Sequence, residues 1–181
     1  MTPIVFLDFD DVVVLDPRYT HYHVRQAFAT GDMNWPELWE GIVDSGARAN
    51  LRQLHDEFKP TYVISTRWTT FLTKEQLLEF FQRTGLGFVT ENLHKQWATL
   101  KAPGQPRVED IWRWCRANPP GGRPLLVLDD TESGWSLAGS AMDRAGQVVI
   151  CKAWVGFTAE RLAQAQEKLR AQMRPRGAGR K

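Results

Sequence analysis

Three aspartates, Asp8, Asp10 and Asp11, stand directly after the apolar run Ile4-Val5-Phe6-Leu7. A second acidic pair, Asp129-Asp130, follows the run Leu125-Leu126-Val127-Leu128. Between them, Tyr62-Val63-Ile64 is followed by Ser65, Thr66 and Arg67. Carboxylates brought to one point repel each other unless a divalent cation sits among them, and hard oxygen donors select Mg²⁺. A phosphoryl group held there can be attacked by a carboxylate to give an acyl phosphate, which water then hydrolyses. A second carboxylate two residues on is placed to protonate the leaving group and later to activate that water. A hydroxyl, from Ser65 or Thr66, and a cationic side chain would neutralise the transferring phosphoryl oxygens.

The three acidic or hydroxylic groups meet only if the apolar runs are neighbouring strands that end at one edge. Each run lacks alternation, as expected of a strand covered on both faces of a parallel sheet. A fourth such run, Val148-Val149-Ile150, follows the turn-like stretch Asp143-Arg144-Ala145-Gly146. Helical spacing runs from Pro36 to Phe58, in two pieces broken near Gly46. Thr73 to Arg83 opens with a capping box, Thr73 paired with Gln76, and stops before Gly85. Further helices are expected over Val108 to Ala117 and Thr158 to Met173, and helices account for most of the interval from Lys74 to Leu125. Strands alternating with helices predict an α/β fold with a doubly wound, mainly parallel sheet, and ligands bind such sheets at the carboxyl ends of the strands. The stretch from Asp11 to Trp35, with Tyr19, His21, Tyr22 and His23 crowded together, shows no readable pattern.

At 181 residues the chain suits one domain, read as 1–173, with a basic Gly- and Pro-rich tail at 174–181 expected to be disordered. A net charge of +2 calls for neither a nucleic-acid nor a membrane partner. Cys115 and Cys151 have no metal-ligand or redox spacing, which suits free thiols in a reducing compartment. The acidic cluster so near the N-terminus argues against a signal peptide, so a cytoplasmic protein is expected. Trp112 and Trp114, on a helix, are read as core or rim packing, whereas Trp68 has two open readings, packing or, with Arg67, orientation of a substrate phosphate or base.

These motifs, in this order, resemble the haloacid dehalogenase (HAD) superfamily of phosphohydrolases. Val5-Phe6-Leu7-Asp8-Phe9-Asp10 matches its strand followed by Asp-x-Asp, which implies Asp8 as nucleophile and Asp10 as acid/base, with the Asp10 carbonyl as a Mg²⁺ ligand. Val63-Ile64-Ser65-Thr66 matches the strand ending in a hydroxyl, with Ser65 favoured over Thr66 for phosphate binding because it comes first after the apolar run. Leu126-Val127-Leu128-Asp129-Asp130 matches the strand ending in paired acids, implying that one of Asp129 and Asp130 binds Mg²⁺ directly and the other through water or structure. The family's phosphate-neutralising cation is either Arg107, by position before Val108-Glu109-Asp110, or Lys101, by residue type. The family's usual glycine after the second aspartate is here Asp11, so either the turn differs or a further carboxylate joins the site. The Ser65-Thr66-Arg67-Trp68 and Leu128-Asp129-Asp130 runs also look like a subgroup of small domains found alone in bacteria and fused to RNA-repair enzymes.

The resemblance implies a Mg²⁺-dependent phosphatase with at most a small helical cap between Asp11 and Lys59. An open site of that kind favours a nucleotide, polynucleotide end or phosphoprotein over an enclosed metabolite, and no obligate protein partner is inferred. Two competing readings are an inactive binding module, for which Asp11 is the one argument, and a receiver-type signalling domain. In the latter the paired acids come on the first strand and the hydroxyl late, the reverse of the order here.

Overall fold

Each apolar run is a strand of one five-stranded, all-parallel sheet in the computed structural model, which describes residues 1–102 and 104–174. The elements in chain order are β1 (Ile4–Leu7), α1 (His21–Thr30), α2 (Pro36–Gly41), α3 (Ser45–Phe58) and β2 (Thr61–Ile64). A 3₁₀ turn (Arg67–Thr70), α4 (Lys74–Arg83), α5 (Gly87–Glu91), β3 (Leu93–Ala98) and α6 (Arg107–Ala117) follow. The chain continues through β4 (Leu125–Asp130), α7 (Ala141–Arg144) and β5 (Val148–Cys151) to α8 (Ala159–Met173). The strand order is β3-β2-β1-β4-β5, so the winding reverses between β1 and β4, the crevice where doubly wound sheets take their ligands.

The strands are apolar throughout because both faces are covered. Val5, Leu7, Tyr62, Ile64, Leu126 and Leu128 pack on one side with α3, α4, α5 and α8. Ile4, Phe6, Val63, Leu125 and Val127 point the other way, onto Ile111, Trp114 and Cys115 of α6 and Met142 of α7. Cys115 and Cys151 are free and buried. No helix among the described residues is long and apolar enough to cross a membrane.

The break expected near Gly46 falls at 42–44, where the Asp44 carboxylate accepts the Ala47 N–H at 2.7 Å and caps α3. Two local expectations are corrected. The interval from Lys74 to Leu125 holds an edge strand, β3, besides its helices. Its residues are half-exposed or exposed, so no apolar run marks it. The unreadable stretch contains α1, which begins where the Thr20 N–H donates to His23 Nδ1 at 3.1 Å. His23 is therefore a capping residue, and the small helical insertion expected between Asp11 and Lys59 consists of α1 and α2. Apart from Arg174, the basic tail lies outside the described residues.

Candidate active site

Register alone assembles the core of the site. Leu7 of β1 pairs with Ile64 on one side and Leu128 on the other, so the next residues, Asp8, Ser65 and Asp129, lie side by side. The Ser65 N–H donates to Leu7 O at 2.8 Å and the Asp8 N–H to Leu128 O at 3.0 Å, fixing the level at which each side chain emerges. All three residues, and Asp130, are buried. Asp8, Asp129 and Asp130 each bring one carboxylate oxygen within 4.8 Å of the others.

Arg107, the first residue of α6, reaches into this cluster. Its Nη2 lies 3.1 Å from Asp8 Oδ2, its Nε 2.9 Å from Asp129 Oδ2, and its Nη1 donates to Ser65 Oγ at 3.5 Å. Lys101 is the other expected cation, and its Nζ lies 3.4 Å from Asp110 Oδ2 instead. Burial, then the charge on Arg107, pushes the Lys101 ammonium down to about 8. The guanidinium is thus the cation in contact with Asp8, and its fork suits several oxygens at once. The two hydroxyls also divide. Ser65 Oγ faces Arg107 and accepts from Thr99 Oγ1 at 3.4 Å, whereas Thr66 Oγ1 accepts the Trp68 N–H at 3.4 Å and caps the 3₁₀ turn.

The donor set fits a divalent cation. Ser133 Oγ lies 2.8 Å from Asp8 Oδ2, 3.0 Å from Asp129 Oδ1, and against Asp130 Oδ2. One hydroxyl carries one proton, so it satisfies only one of these oxygens. Asp129 Oδ2 is buried and accepts no hydrogen bond; Arg107 Nε is close but not in hydrogen-bonding geometry. Burial, with Asp8 adding to it and Arg107 opposing it, pushes the Asp129 carboxyl well above the usual range. Burial likewise raises Asp8, against the charge of Arg107. Several buried carboxylates facing one guanidinium and one hydroxyl are short of positive charge, which a hard cation bound by oxygen would supply.

The turns that aim these groups are tightly held. The N–H groups of Glu132 and Ser133 donate to Asp130 Oδ1 at 2.6 and 3.0 Å. Gly134 follows, where an added Cβ would meet Asp130 O at 2.5 Å. After β1, the N–H groups of Val12, Val13 and Val14 converge on Phe9 O, and Asp11 sits at φ 57°, the left-handed region. Asp is among the residues that tolerate this region, so the turn keeps the left-handed conformation that a glycine would favour. Its Oδ1 accepts the Trp154 N–H at 2.6 Å, tying the turn to the loop after β5.

Asp10 stands apart from the carboxylate trio. Its Oδ2 accepts the Trp68 indole N–H at 2.9 Å, and Trp68 is fully buried against Phe9 and Phe80. Burial and the Asp8 charge push the Asp10 carboxyl up to about 6, with the indole hydrogen bond pulling the other way. His21 of α1 lies 6.5 Å from Trp68 and 5.6 Å from Phe71, ring centre to ring centre, so α1 leans on the residue that holds Asp10. Ser133 is the site residue that motif reading does not single out, and only its closeness in sequence to Asp129-Asp130 hints at it. Trp68, read from sequence as packing or as a substrate contact, is packed in the core and holds Asp10. Asp8, Asp10, Asp11, Asp130 and Glu132 line a cavity of about 170 Å³ with Arg67, Arg107 and Ser133.

The family model for the HAD domain in Swiss Army Knife RNA repair proteins matches residues 4–179. No curated protein and no solved structure matches the chain significantly. In the fold, an acid follows β1 and a pair of acids ends β4, a hydroxyl follows β2, and a cation opens the helix before β4. The chain belongs to the family of HAD domains found in Swiss Army Knife RNA repair proteins, and so to the HAD-type hydrolases.

Proposed function

We propose that the protein is a Mg²⁺-dependent phosphatase that hydrolyses phosphomonoesters through an aspartyl-phosphate on Asp8, with a nucleotide or polynucleotide end as substrate. The observation that carries this reading is the Asp8 carboxylate, held against Arg107 at 3.1 Å within a buried trio of acids. Asp8 attacks phosphorus and the ester P–O bond breaks, while Asp10 gives its proton to the departing oxygen. Water then attacks the acyl phosphate, Asp10 takes its proton, and inorganic phosphate leaves with Asp8 restored. A carboxyl raised to about 6 suits both halves, because it is near balance between giving and taking a proton at neutral pH. Arg107 and the Ser65 hydroxyl neutralise and position the phosphoryl oxygens. Asp8, Asp129 and Asp130, with the Asp10 carbonyl, would hold Mg²⁺, which when bound supplies charge neutralisation of the phosphoryl group. Asp11, in the conformation a glycine would take, supports turnover over the inactive binding module. The substrate class rests on the RNA-repair proteins for which the family is described.

Hydrolysis of an aryl phosphate, with Mg²⁺ and with EDTA, tests the reading. Turnover should require Mg²⁺ and disappear in Asp8→Asn, with the fold retained by circular dichroism. Activity surviving that substitution would falsify the nucleophile assignment.

A further inference from the structure

A second, larger cavity of about 490 Å³ adjoins the acidic one, and Arg67, Arg107, Glu132 and Ser133 line both. Its size lies in the range that encloses a ligand as large as a nucleotide. The cations near it have different commitments. Arg107 is taken by Asp8 and Asp129, and Lys101 by Asp110. Arg67 is exposed and forms no ion pair among the described residues. Its backbone is nonetheless fixed, since it opens the 3₁₀ turn whose next residue is the buried Trp68, and its carbonyl accepts from Thr70 Oγ1 at 2.8 Å.

Trp135 lines the same cavity and is 66% exposed. It is held on both sides: Ser133 is bound into the carboxylate cluster, and the Leu137 N–H donates to Gly134 O at 2.8 Å with Leu137 fully buried. An exposed indole on a held stretch of backbone, sharing a cavity with a guanidinium that forms no ion pair among the described residues, is a combination that can stack a base and hold a backbone phosphate.

We propose that this cavity binds a nucleoside 3′,5′-bisphosphate unit, free or at the end of a polynucleotide, with Arg67 on the second phosphate and Trp135 against the base. The placement rests on the phosphatase reading for the phosphate at Asp8. That phosphate already has Arg107 and Ser65, so Arg67, which lines both cavities, is free to meet a second one. Of the acids lining the larger cavity, Glu132 is exposed to solvent and Asp110 is countered by Lys101.

The test is equilibrium binding to full-length Asp8→Asn protein with Mg²⁺, using adenosine 3′,5′-bisphosphate, both adenosine monophosphates and inorganic phosphate. The bisphosphate should bind about tenfold or more tighter than either monophosphate, the effect of one charge-assisted contact. Arg67→Gln should bring that ratio close to unity. Trp135→Ala should weaken every nucleotide by about tenfold relative to inorganic phosphate. A phosphorylated tetranucleotide binding at least as well as the free bisphosphate assigns the unit to a polynucleotide end, and weaker binding assigns it to the free compound. Equal binding of bisphosphate and monophosphates, a ratio indifferent to Arg67→Gln, or tighter binding of a phosphoserine peptide would overturn the proposal. Aryl phosphate turnover by the wild type, measured in parallel, separates the two readings. Absent turnover with the binding preference intact removes the phosphatase and leaves the subsite, whereas turnover without the preference removes the subsite alone.

Discussion

Replacing Arg107 with Met takes away the cation that touches both Asp8 and Asp129, at 3.1 and 2.9 Å. The side chain is 3% exposed and its partners no more than 2%, so water cannot stand in for it. Removing one member of such a buried group costs about 3–5 kcal/mol, mainly because the remaining charges stay buried. In a domain of this size each kcal/mol lowers Tm by about 2–4 °C, so Arg107→Met should melt about 6–20 °C lower in EDTA. Mg²⁺ should recover part of that loss by supplying the missing positive charge, giving the variant a larger Mg²⁺-dependent rise in Tm than the wild type. Aryl phosphate turnover should fall about 10²- to 10³-fold, as for loss of one preorganised charge-stabilising donor. Arg107→Lys should restore much of the stability but little of the turnover, because an ammonium cannot reach Asp8, Asp129 and Ser65 together. Lys101→Met should cost far less turnover, since its partner is Asp110. The assays are thermal denaturation with and without Mg²⁺ and steady-state hydrolysis. An Arg107→Met protein with wild-type Tm and turnover, or a Lys101→Met protein that alone loses activity, would refute the reasoning.

Trp68→Phe keeps a buried ring but deletes the N–H donated to Asp10 Oδ2, so turnover should fall about tenfold. The loss should be greater for an alkyl phosphate, whose leaving oxygen needs the proton, than for an aryl phosphate; equal losses would assign Trp68 to packing alone. Gly134→Ala drives a Cβ to within 2.5 Å of Asp130 O, so the backbone must move and displace the amides that hold Asp130. We expect about 1–3 kcal/mol of destabilisation and loss of the Mg²⁺-dependent rise in Tm, and an unchanged melting curve would show that the loop yields freely. His55 is buried beside Tyr62 and Phe88, and burial, then the Lys59 charge, holds its imidazole below 6.5. The unfolded chain therefore binds a proton that the folded one refuses, so stability is lost as pH falls below 6.5, by at most about 1.4 kcal/mol per pH unit. Urea denaturation of His55→Phe should show a shallower decline with acid than the wild type, and matching slopes would remove His55 as the cause.

Strand edges carry most of what could be read in advance. Ile4–Leu7 and Leu125–Asp130 advertise themselves because strands buried on both faces must be apolar along their whole length, and the polar residues ending them stand out by contrast. The edge strand β3 escaped for the converse reason: half-exposed residues such as Lys95 and Gln96 leave no run to see. Helix α1 escaped because His23 stands where a capping box behind Thr20 would carry Glu or Gln, and only Val24 and Ala27 are buried along it.

By itself, the sequence determined the chemistry available, through Asp8, Asp10, Ser65 and Asp129-Asp130 at strand ends, and the parallel sheet that gathers them, because residue type and hydrophobic run length are local properties. Tertiary structure decided which cation touches Asp8, which hydroxyl faces that cation, and what holds Asp10. Arg107 and Lys101 are six positions apart along one stretch of chain, and only the packing of α6 beside β1 sends the guanidinium to Asp8 and leaves the ammonium to Asp110. Ser65 and Thr66 are neighbours, yet successive side chains leave a strand in opposite directions, so one faces Arg107 and the other caps a turn. Trp68 and Asp10 are 58 positions apart, and only the folded chain could bring an indole N–H to a carboxylate across that distance.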